Sequence, residues 1–156
     1  MCIERQFSWL ISRGEPEHVL EWTRLRQALW PGSPLSNHAD EVMAMLSRTS
    51  DTELAFVAEL TSGALAGFAE ASLRQDYVNG CSSSPVLFLE GVYVEPGFRR
   101  QGIGGALIKA VRARGKAMGC TEFASDASIN NLQSHSFHKA LGFKETERVV
   151  FFHQLL

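Results

Sequence analysis

The stretch that decides the fold reads Val86-Leu-Phe-Leu-Glu-Gly-Val-Tyr-Val-Glu-Pro-Gly-Phe-Arg-Arg-Gln-Gly-Ile-Gly-Gly105, and the apolar run 106–111 follows it. It begins with β-branched and aromatic residues, a Pro-Gly pair interrupts it, and it ends in a glycine cluster. This pattern predicts a buried strand, a tight turn and the first turns of a helix. A helix that begins on glycines offers unpaired backbone N–H groups at the positive end of its dipole and lets a bulky anion approach. The stretch therefore predicts a phosphate-binding site.

Spacing separates three phosphate-binding patterns in this turn. A Walker loop needs a lysine after Gly102, and Ile103 stands there. A dinucleotide fingerprint needs a third small residue where Leu107 stands, and no strand-helix-strand unit with an acidic ribose ligand surrounds it. The third pattern, Arg-x-x-Gly-x-Gly, is satisfied by Arg99, Gly102 and Gly104. It resembles the pyrophosphate-binding motif of the GCN5-related N-acetyltransferases, which bind acetyl-coenzyme A; the alternative is a glycine-rich helix start without a ligand.

Composition limits the possible classes of protein. The chain has 156 residues, 45% of them hydrophobic, which is typical of one domain, expected to span residues 1–156. A formal charge of -2 with dispersed basic residues argues against nucleic acid or an anionic membrane surface and favours cationic partners. Cys2, Cys81 and Cys120 form no C-x-x-C pair, which is typical of cytosolic thiols rather than of disulfides or structural zinc. With no apparent leader or membrane span, we expect a soluble cytoplasmic protein.

The remaining elements are predicted from periodicity and breakers. Pro16 suits the first turn of a helix with an apolar stripe, Asn37 is the expected N-cap of a short second helix, and Gly119 and Gly142 end two later helices. A long polar loop at 74–85 carries one aromatic side chain, and loops of this length are often functional. Strands are predicted at 7–11, 53–60, 65–73, 86–94, 120–126 and within 143–153. The order β-α-α-β-β-β-α-β-α-β again resembles the acetyltransferase family, whose α/β (α+β) fold is a mixed, mostly antiparallel sheet of about six to seven strands flanked by about four helices.

A second signature of that family, an asparagine followed by a helix and Gly-Phe, is present from Asn131 to Gly142-Phe143. Four residues before the glycine, the family commonly has a tyrosine that is proposed to protonate the leaving thiolate. His138 stands there instead. The general acid is therefore either His138 or another group, because His135 and His138 at helical spacing could also cap the helix or face solvent. A metal site at this pair is not expected, since no acidic third ligand lies near it in sequence.

Several uncommon strings give a closer resemblance, to the bacterial aminoglycoside 6'-N-acetyltransferases. They are Leu29-Trp-Pro31, Gly67-Phe-Ala-Glu-Ala-Ser72, Asp76-Tyr-Val-Asn-Gly-Cys81, Phe88-Leu-Glu-Gly91, Ala124-Ser-Asp126 and Glu145-Thr-Glu-Arg148. The resemblance implies acetyl transfer from acetyl-coenzyme A to the 6'-amine of these antibiotics, and hence resistance to them. It implies substrate contacts at Trp30, Tyr77, Glu90, Asp126 and Glu147. It implies coenzyme contacts at Val92, Tyr93, Val94, Arg99, Arg100, Gln101, Gly102, Ile103, Gly104, Gly105 and Asn131. It also implies a homodimer, for which 149–152 would suit the interface.

The residue types agree with such a substrate, because a polyhydroxylated polycation needs carboxylates and flat aromatic surfaces. Each candidate also has a simpler reading: Trp30 as a local plug, Asp126 as an N-cap and Glu147 as a solvated charge. Glu90 stands inside an apolar strand, where a carboxylate is costly to bury unless something pairs with it, and a substrate ammonium could do so.

Glu90 is consequently the expected general base for the attacking amine. The N–H of Val94 is the expected donor to the oxyanion of the transition state, and residues 92–94 are expected to pair with the pantetheine arm as another strand does. Two other readings stay open. One is an acetyltransferase for a polyamine or a protein amine, and the other is a non-catalytic module that binds acyl-coenzyme A.

Overall fold

A computed structural model describes residues 8–48 and 51–156. Its sheet has the strand order β1-β2-β3-β4-β5. The strands are β1 (Trp9–Arg13), β2 (Glu53–Leu60), β3 (Leu65–Arg74), β4 (Val86–Val94) and β5 (Phe123–Ser125). The first four are antiparallel neighbours, and β5 runs parallel to β4. The helices are α1 (Val19–Leu29), α2 (Leu35–Ser47), α3 (Ile103–Ala117) and α4 (Leu132–Ala140), with short 3-10 turns at Pro16–His18 and Pro96–Phe98.

The sheet is covered on both faces, and apolar periodicity decides which helix covers which face. The predicted stripe of α1 is confirmed: Trp22 and Leu25 are fully buried and pack with Phe68 of β3 and Val42 of α2. On the opposite face, α3 buries a second apolar stripe against the small and branched residues of β2, β3 and β4. These two layers of helices enclose the sheet. The candidate site lies at the edge of the sheet formed by β4 and β5.

The mixed α/β fold class is confirmed, but the expected strand count is wrong, because the described residues form five strands. The first strand begins at Trp9, and the predicted position 7 lies outside the described residues. No strand forms within 143–153, where Phe151 and Phe152 are 88% and 93% exposed. Strand propensity there is high, but a strand also needs a neighbour to accept and donate its backbone hydrogen bonds.

The second helix also differs from its prediction. Its N-cap is Pro34, whose backbone is extended (φ -68°, ψ 154°), and Asn37 lies inside the first turn. The helix has 13 residues and is therefore longer than α1, which has 11. No side chain caps this helix start; the N–H of Asn37 donates instead to the carbonyl of Pro34 at 3.0 Å. No helix in residues 8–48 and 51–156 is long and apolar enough to cross a membrane.

Two irregularities of β4 shape the site. Gly91 lies opposite Glu70, and Leu89 lies opposite Ala71. Glu90 therefore has no partner residue on β3 and forms a β-bulge. In addition, β5 pairs with β4 only over Leu87–Leu89, although β4 continues to Val94. Beyond Leu89 the two strands no longer pair, and the margin of β4 faces a gap.

Candidate active site

The backbone of β4 presents polar groups to the gap beside it. The N–H of Glu95 donates to the carbonyl of Ala66 on the β3 side at 2.9 Å. Because successive residues of a strand point their backbone groups to opposite sides, the N–H and C=O of Val94 point away from β3, into the gap. The Val94 carbonyl there accepts a hydrogen bond from Nε of Arg99 at 2.9 Å, and Val92 has the same orientation by alternation.

The turn before α3 has the geometry that the glycine pattern predicts. Gly102 is the N-cap with φ 82°, a left-handed conformation that favours glycine, and Arg100 shares that region at φ 64°. The first intrahelical bond runs from the N–H of Ala106 to the carbonyl of Gly102 at 3.0 Å. The N–H groups of residues 103–105 precede that bond and point out of the helix end. The Ile103 side chain is buried, so only its backbone can contact a ligand.

The start of α4 lies close to this turn. A Cβ on Gly104 would lie 3.0 Å from the Phe137 ring, so the glycine allows α3 and α4 to pack closely at this point. Asn131 is the N-cap of α4, and its Oδ1 accepts from the N–H of Ser134 at 3.0 Å. Gln101, which is exposed, reaches the carbonyl of Gly97 at 3.5 Å. The residues expected to bind the coenzyme thus form one continuous surface from 92 to 105, with Asn131 engaged in capping a neighbouring helix.

Glu90 differs from its prediction in burial and in partner. Its side chain is 37% exposed, so the expected burial is wrong. Its two carboxylate oxygens lie 3.0 and 3.1 Å from Nη2 of Arg74, and Ser72 donates its hydroxyl to the same carboxylate. From the sequence, a substrate ammonium is expected to pair with the Glu90 carboxylate, but that carboxylate is already paired within the chain. This pairing could not be predicted from the order of residues, because the register of β3 on β4 decides it.

Trp30 lies beside Glu90, at the end of α1. A Cβ on Gly91 would overlap the indole ring, so ring and strand are in direct contact. The Arg26 guanidinium lies over the ring at 4.9 Å, and the Trp30 carbonyl contacts Nε2 of His38 at 3.0 Å. Trp30 is half-buried, so part of the residue is accessible to a ligand.

Within residues 8–48 and 51–156, the buried carboxylate is that of Glu70, which is 4% exposed and was not predicted from the sequence. It accepts a 2.7 Å hydrogen bond from Nε1 of Trp22 and a bond from Arg26, which also pairs with Glu41. Burial raises the pKa of Glu70, and the charge of Arg26 opposes that rise. Glu70 also stands in an apolar strand, where a carboxylate needs a partner, so the pattern that marks Glu90 marks this residue equally.

The loop that carries Tyr77 is anchored at several points after that residue. Tyr77 is 76% exposed, whereas the next residue, Val78, is buried. Glu122 accepts hydrogen bonds from the backbone N–H groups of Ser82 at 2.9 Å and Ser83 at 2.6 Å. Hydrogen bonds from these serines keep the pKa of Glu122 below its usual value. The anchored loop holds Tyr77 out toward solvent.

Two further predicted substrate residues, Asp126 and Glu147, are exposed. Asp126 follows the last residue of β5, at the margin of the gap. Glu147 lies in the C-terminal segment, and its neighbour Thr146 touches Gly80, where a Cβ would overlap the threonine side chain. The structure thus brings the segment of Glu147 to the loop of Tyr77. Among the described residues, no hydrogen bond or ion pair joins Glu147 to Glu90.

The imidazole of His138 is held by hydrogen bonds. Its Nδ1 lies 2.7 Å from the carbonyl of Ser134, which can only accept, so this nitrogen carries a proton. Its Nε2 lies 2.9 Å from the hydroxyl of Ser125, the last residue of β5. His135 similarly contacts the carbonyl of Ser128 at 2.9 Å. In the described parts of the chain, no group of three histidine, cysteine or acidic side chains is arranged to hold a metal ion.

Comparison with known proteins agrees with this geometry. Residues 19–143 match the model of the acetyltransferase (GNAT) family. An aminoglycoside N(6')-acetyltransferase type 1 of Serratia marcescens is 50% identical over 135 residues, which cover 86% of this chain and 91% of that protein. The corresponding protein of Salmonella enteritidis is 48% identical over the same shares.

Solved structures show the same likeness. AAC(6')-Iy in complex with the bisubstrate analogue CoA-S-monomethyl-acetylneamine superposes with a TM-score of 0.88 at 44% identity, over 96% of this chain and 99% of that one. AAC(6')-Ih from Acinetobacter baumannii has a TM-score of 0.89 at 40% identity over the same shares. The chain therefore belongs to the acetyltransferase (GNAT) family, together with the aminoglycoside N(6')-acetyltransferases type 1.

Proposed function

We propose that this protein transfers the acetyl group of acetyl-coenzyme A to the 6'-amine of aminoglycoside antibiotics and thereby confers resistance to them. The observation that carries this proposal is the arrangement of β4. One strand holds a carboxylate at its bulge and, four residues later, a backbone N–H directed into the gap beside the glycine turn. The named activity of relatives that are 48–50% identical supports the same substrate.

The coenzyme half of the proposed site is the surface from 92 to 105. The diphosphate would bind the N–H groups of 103–105, with Arg99, Arg100 and the backbone of Gln101 and Gly102 around it. The pantetheine arm would pair with Val92 and Val94 across the gap that β5 leaves, as an added strand, alongside Tyr93. Asn131 would contact the arm from the start of α4. The residues required are all present, so acetyl-coenzyme A is the proposed co-substrate.

The substrate half is the outer side of the bulge. Trp30 and Tyr77 offer aromatic faces for the sugar rings and their ammonium groups. Glu90, Asp126 and Glu147 offer carboxylates for several ammonium groups at once. All of these side chains are exposed or half-exposed, as a site for a large polar ligand requires.

The proposed reaction uses few groups. Glu90 accepts the proton of the substrate ammonium, directly or through water, while the amine attacks the thioester carbonyl. The N–H of Val94 stabilises the charge that develops on the carbonyl oxygen. His138 is the candidate proton donor to the departing thiolate, acting through Ser125. Its imidazolium form can keep both of its contacts, because the carbonyl of Ser134 and the hydroxyl of Ser125 can each accept a hydrogen bond.

A free-thiol assay with acetyl-coenzyme A tests this function. We expect thiol release with tobramycin and little release with spermidine or a lysine peptide. Preferential release with spermidine or the peptide would favour the polyamine or protein acetyltransferase. Binding of acetyl-coenzyme A without thiol release from any of the three would favour the non-catalytic module.

Changing Gly91 to Ala is expected to raise the KM for tobramycin roughly fivefold to tenfold, because the new Cβ displaces Trp30 and removes about 1 kcal/mol of stacking and cation–π contact. The KM for acetyl-coenzyme A should stay unchanged. Gly32→Ala is the matched control. Gly32 lies on the loop just after Trp30, and a Cβ there would meet no atom within 4 Å. Equal KM values for Gly91→Ala and Gly32→Ala would remove Trp30 from the substrate site.

We also propose that the protein is a homodimer. Val150, Phe151 and Phe152 are 77%, 88% and 93% exposed, and contiguous exposed apolar residues of this kind mark protein interfaces. Sedimentation velocity should show a dimer that Phe151→Asp with Phe152→Asp converts to a monomer. Leu20→Asp, at an isolated leucine that is 82% exposed, should leave the dimer intact. A monomeric unchanged protein would contradict the proposal.

A cytoplasmic location is the further proposal. Within the described residues, Cys81 and Cys120 are free thiols, and burial raises the pKa of both, so neither is an activated nucleophile. Free thiols are typical of reducing compartments.

A further inference from the structure

Arg74 occupies the carboxylate that the proposed reaction needs. Its Nη2 lies 3.0 and 3.1 Å from the two oxygens of Glu90. A substrate ammonium that bound there would meet a positive charge already in place. Glu90 therefore cannot accept the amine until Arg74 moves.

The structure gives Arg74 a second partner that does not depend on Glu90. Its guanidinium carbon lies 3.4 Å from the centroid of the Phe88 ring, a cation–π contact. Phe88 and Glu90 lie two residues apart on β4, and both contact the side chain of Arg74. Arg74 can consequently release the carboxylate and keep its contact with the ring.

The ion pair is also weakly held. The side chains of Arg74 and Glu90 are 42% and 37% exposed, and exposed ion pairs of this kind contribute little to stability. A ligand with several ammonium groups can offset the loss of the pair through other carboxylates, whereas a monoamine has only one contact to offer.

We propose that Arg74 is an internal competitor of the substrate ammonium. It holds Glu90 in the free enzyme, moves fully onto Phe88 when an amine binds, and so favours polycationic amines over monoamines. This inference rests on the proposed function, because it assumes that the amine binds at Glu90. Arg74 would be a specificity-determining residue that lowers affinity.

Calorimetry with tobramycin, without acetyl-coenzyme A, tests the competition. Arg74→Met keeps an apolar stem over Phe88 and removes the charge. We expect its dissociation constant for tobramycin to fall threefold to tenfold, and that for the monoamine glucosamine to fall by a larger factor. In a Glu90→Gln background, the same substitution should change neither constant by more than twofold, because there is no longer a carboxylate to compete for.

Arg13→Met is the matched control, because it removes one exposed arginine from β1, at the opposite edge of the sheet. It should leave the tobramycin constant unchanged, and thermal melts should show that all variants fold. Unchanged or weaker tobramycin binding by folded Arg74→Met overturns the inference, as does an equal gain in Arg13→Met. Thiol release by the unchanged enzyme is measured in parallel. If the unchanged enzyme releases thiol but Arg74→Met leaves the dissociation constant for tobramycin unaltered, the inference alone is overturned. If the unchanged enzyme neither binds tobramycin nor releases thiol, the proposed function is overturned as well.

Discussion

Replacing Glu90 with Gln is expected to lower kcat for tobramycin by roughly a hundredfold to a thousandfold, because a positioned general base contributes about that much. The glutamine keeps the size of the side chain and its hydrogen bond with Ser72, but it cannot accept the ammonium proton. Steady-state thiol release at saturating tobramycin measures the loss. The dissociation constant for acetyl-coenzyme A should change less than twofold, because the coenzyme surface begins at Val92.

A matched control separates catalysis from a general loss of surface charge. Glu59→Gln alters another strand carboxylate that lies beside a basic side chain, with Nε2 of His18 at 3.5 Å, and the Glu59 side chain is 36% exposed against 37% for Glu90. It lies on β2, two strands from β4, and should leave kcat unchanged. A Glu90→Gln enzyme that turns over as fast as the unchanged protein would show that Glu90 is not the base.

The second large effect is on stability. Arg26→Met is expected to lower the free energy of unfolding by about 3–5 kcal/mol, because Glu70 would remain buried without its cation. For a chain of this length, each kcal/mol shifts the Tm by about 2–4 °C, so we expect a decrease of roughly 6–20 °C. Thermal and denaturant unfolding measure both quantities.

Two further variants test the cause of that loss. Arg24→Met removes a neighbouring arginine of α1 whose side chain is 48% exposed, and should cost about 1 kcal/mol or less. Combining Arg26→Met with Glu70→Gln removes both charges but keeps an acceptor for Trp22, and should restore at least half of the lost stability. If Arg24→Met proves as destabilising as Arg26→Met, burial of the pair is not the reason.

Local chemistry made several parts of the site predictable. The glycine cluster at 102–105 predicts the start of a helix, and this is confirmed, because α3 begins at Ile103 with Gly102 as its N-cap. The stripe of α1 was recognised because apolar residues three and four apart share one face of a helix. In both cases the cause lies within a few consecutive residues, and so it can be read from their order.

The acidic residues show where that kind of reasoning ends. Glu70 and Glu90 both stand in apolar strands, yet Glu70 is 4% exposed, while the Glu90 side chain is 37% exposed. Coverage causes the difference: Trp22 and Arg26 of α1 lie against Glu70, whereas the register of β3 on β4 sets Glu90 against Ser72 and Arg74. The contacts of Arg74 with Glu90 and of Trp30 with Gly91 depend on the same register.

The amino-acid order alone determined the strand, the glycine turn and the helices, because hydrophobic periodicity, left-handed glycines and proline breaks act within one or two turns of chain. Only the tertiary structure decided which carboxylate is buried, which is paired and whether the apolar C-terminal segment becomes a strand. Those outcomes depend on partners that are distant in sequence: a strand needs a neighbour for its hydrogen bonds, and a charge needs a counter-charge or water.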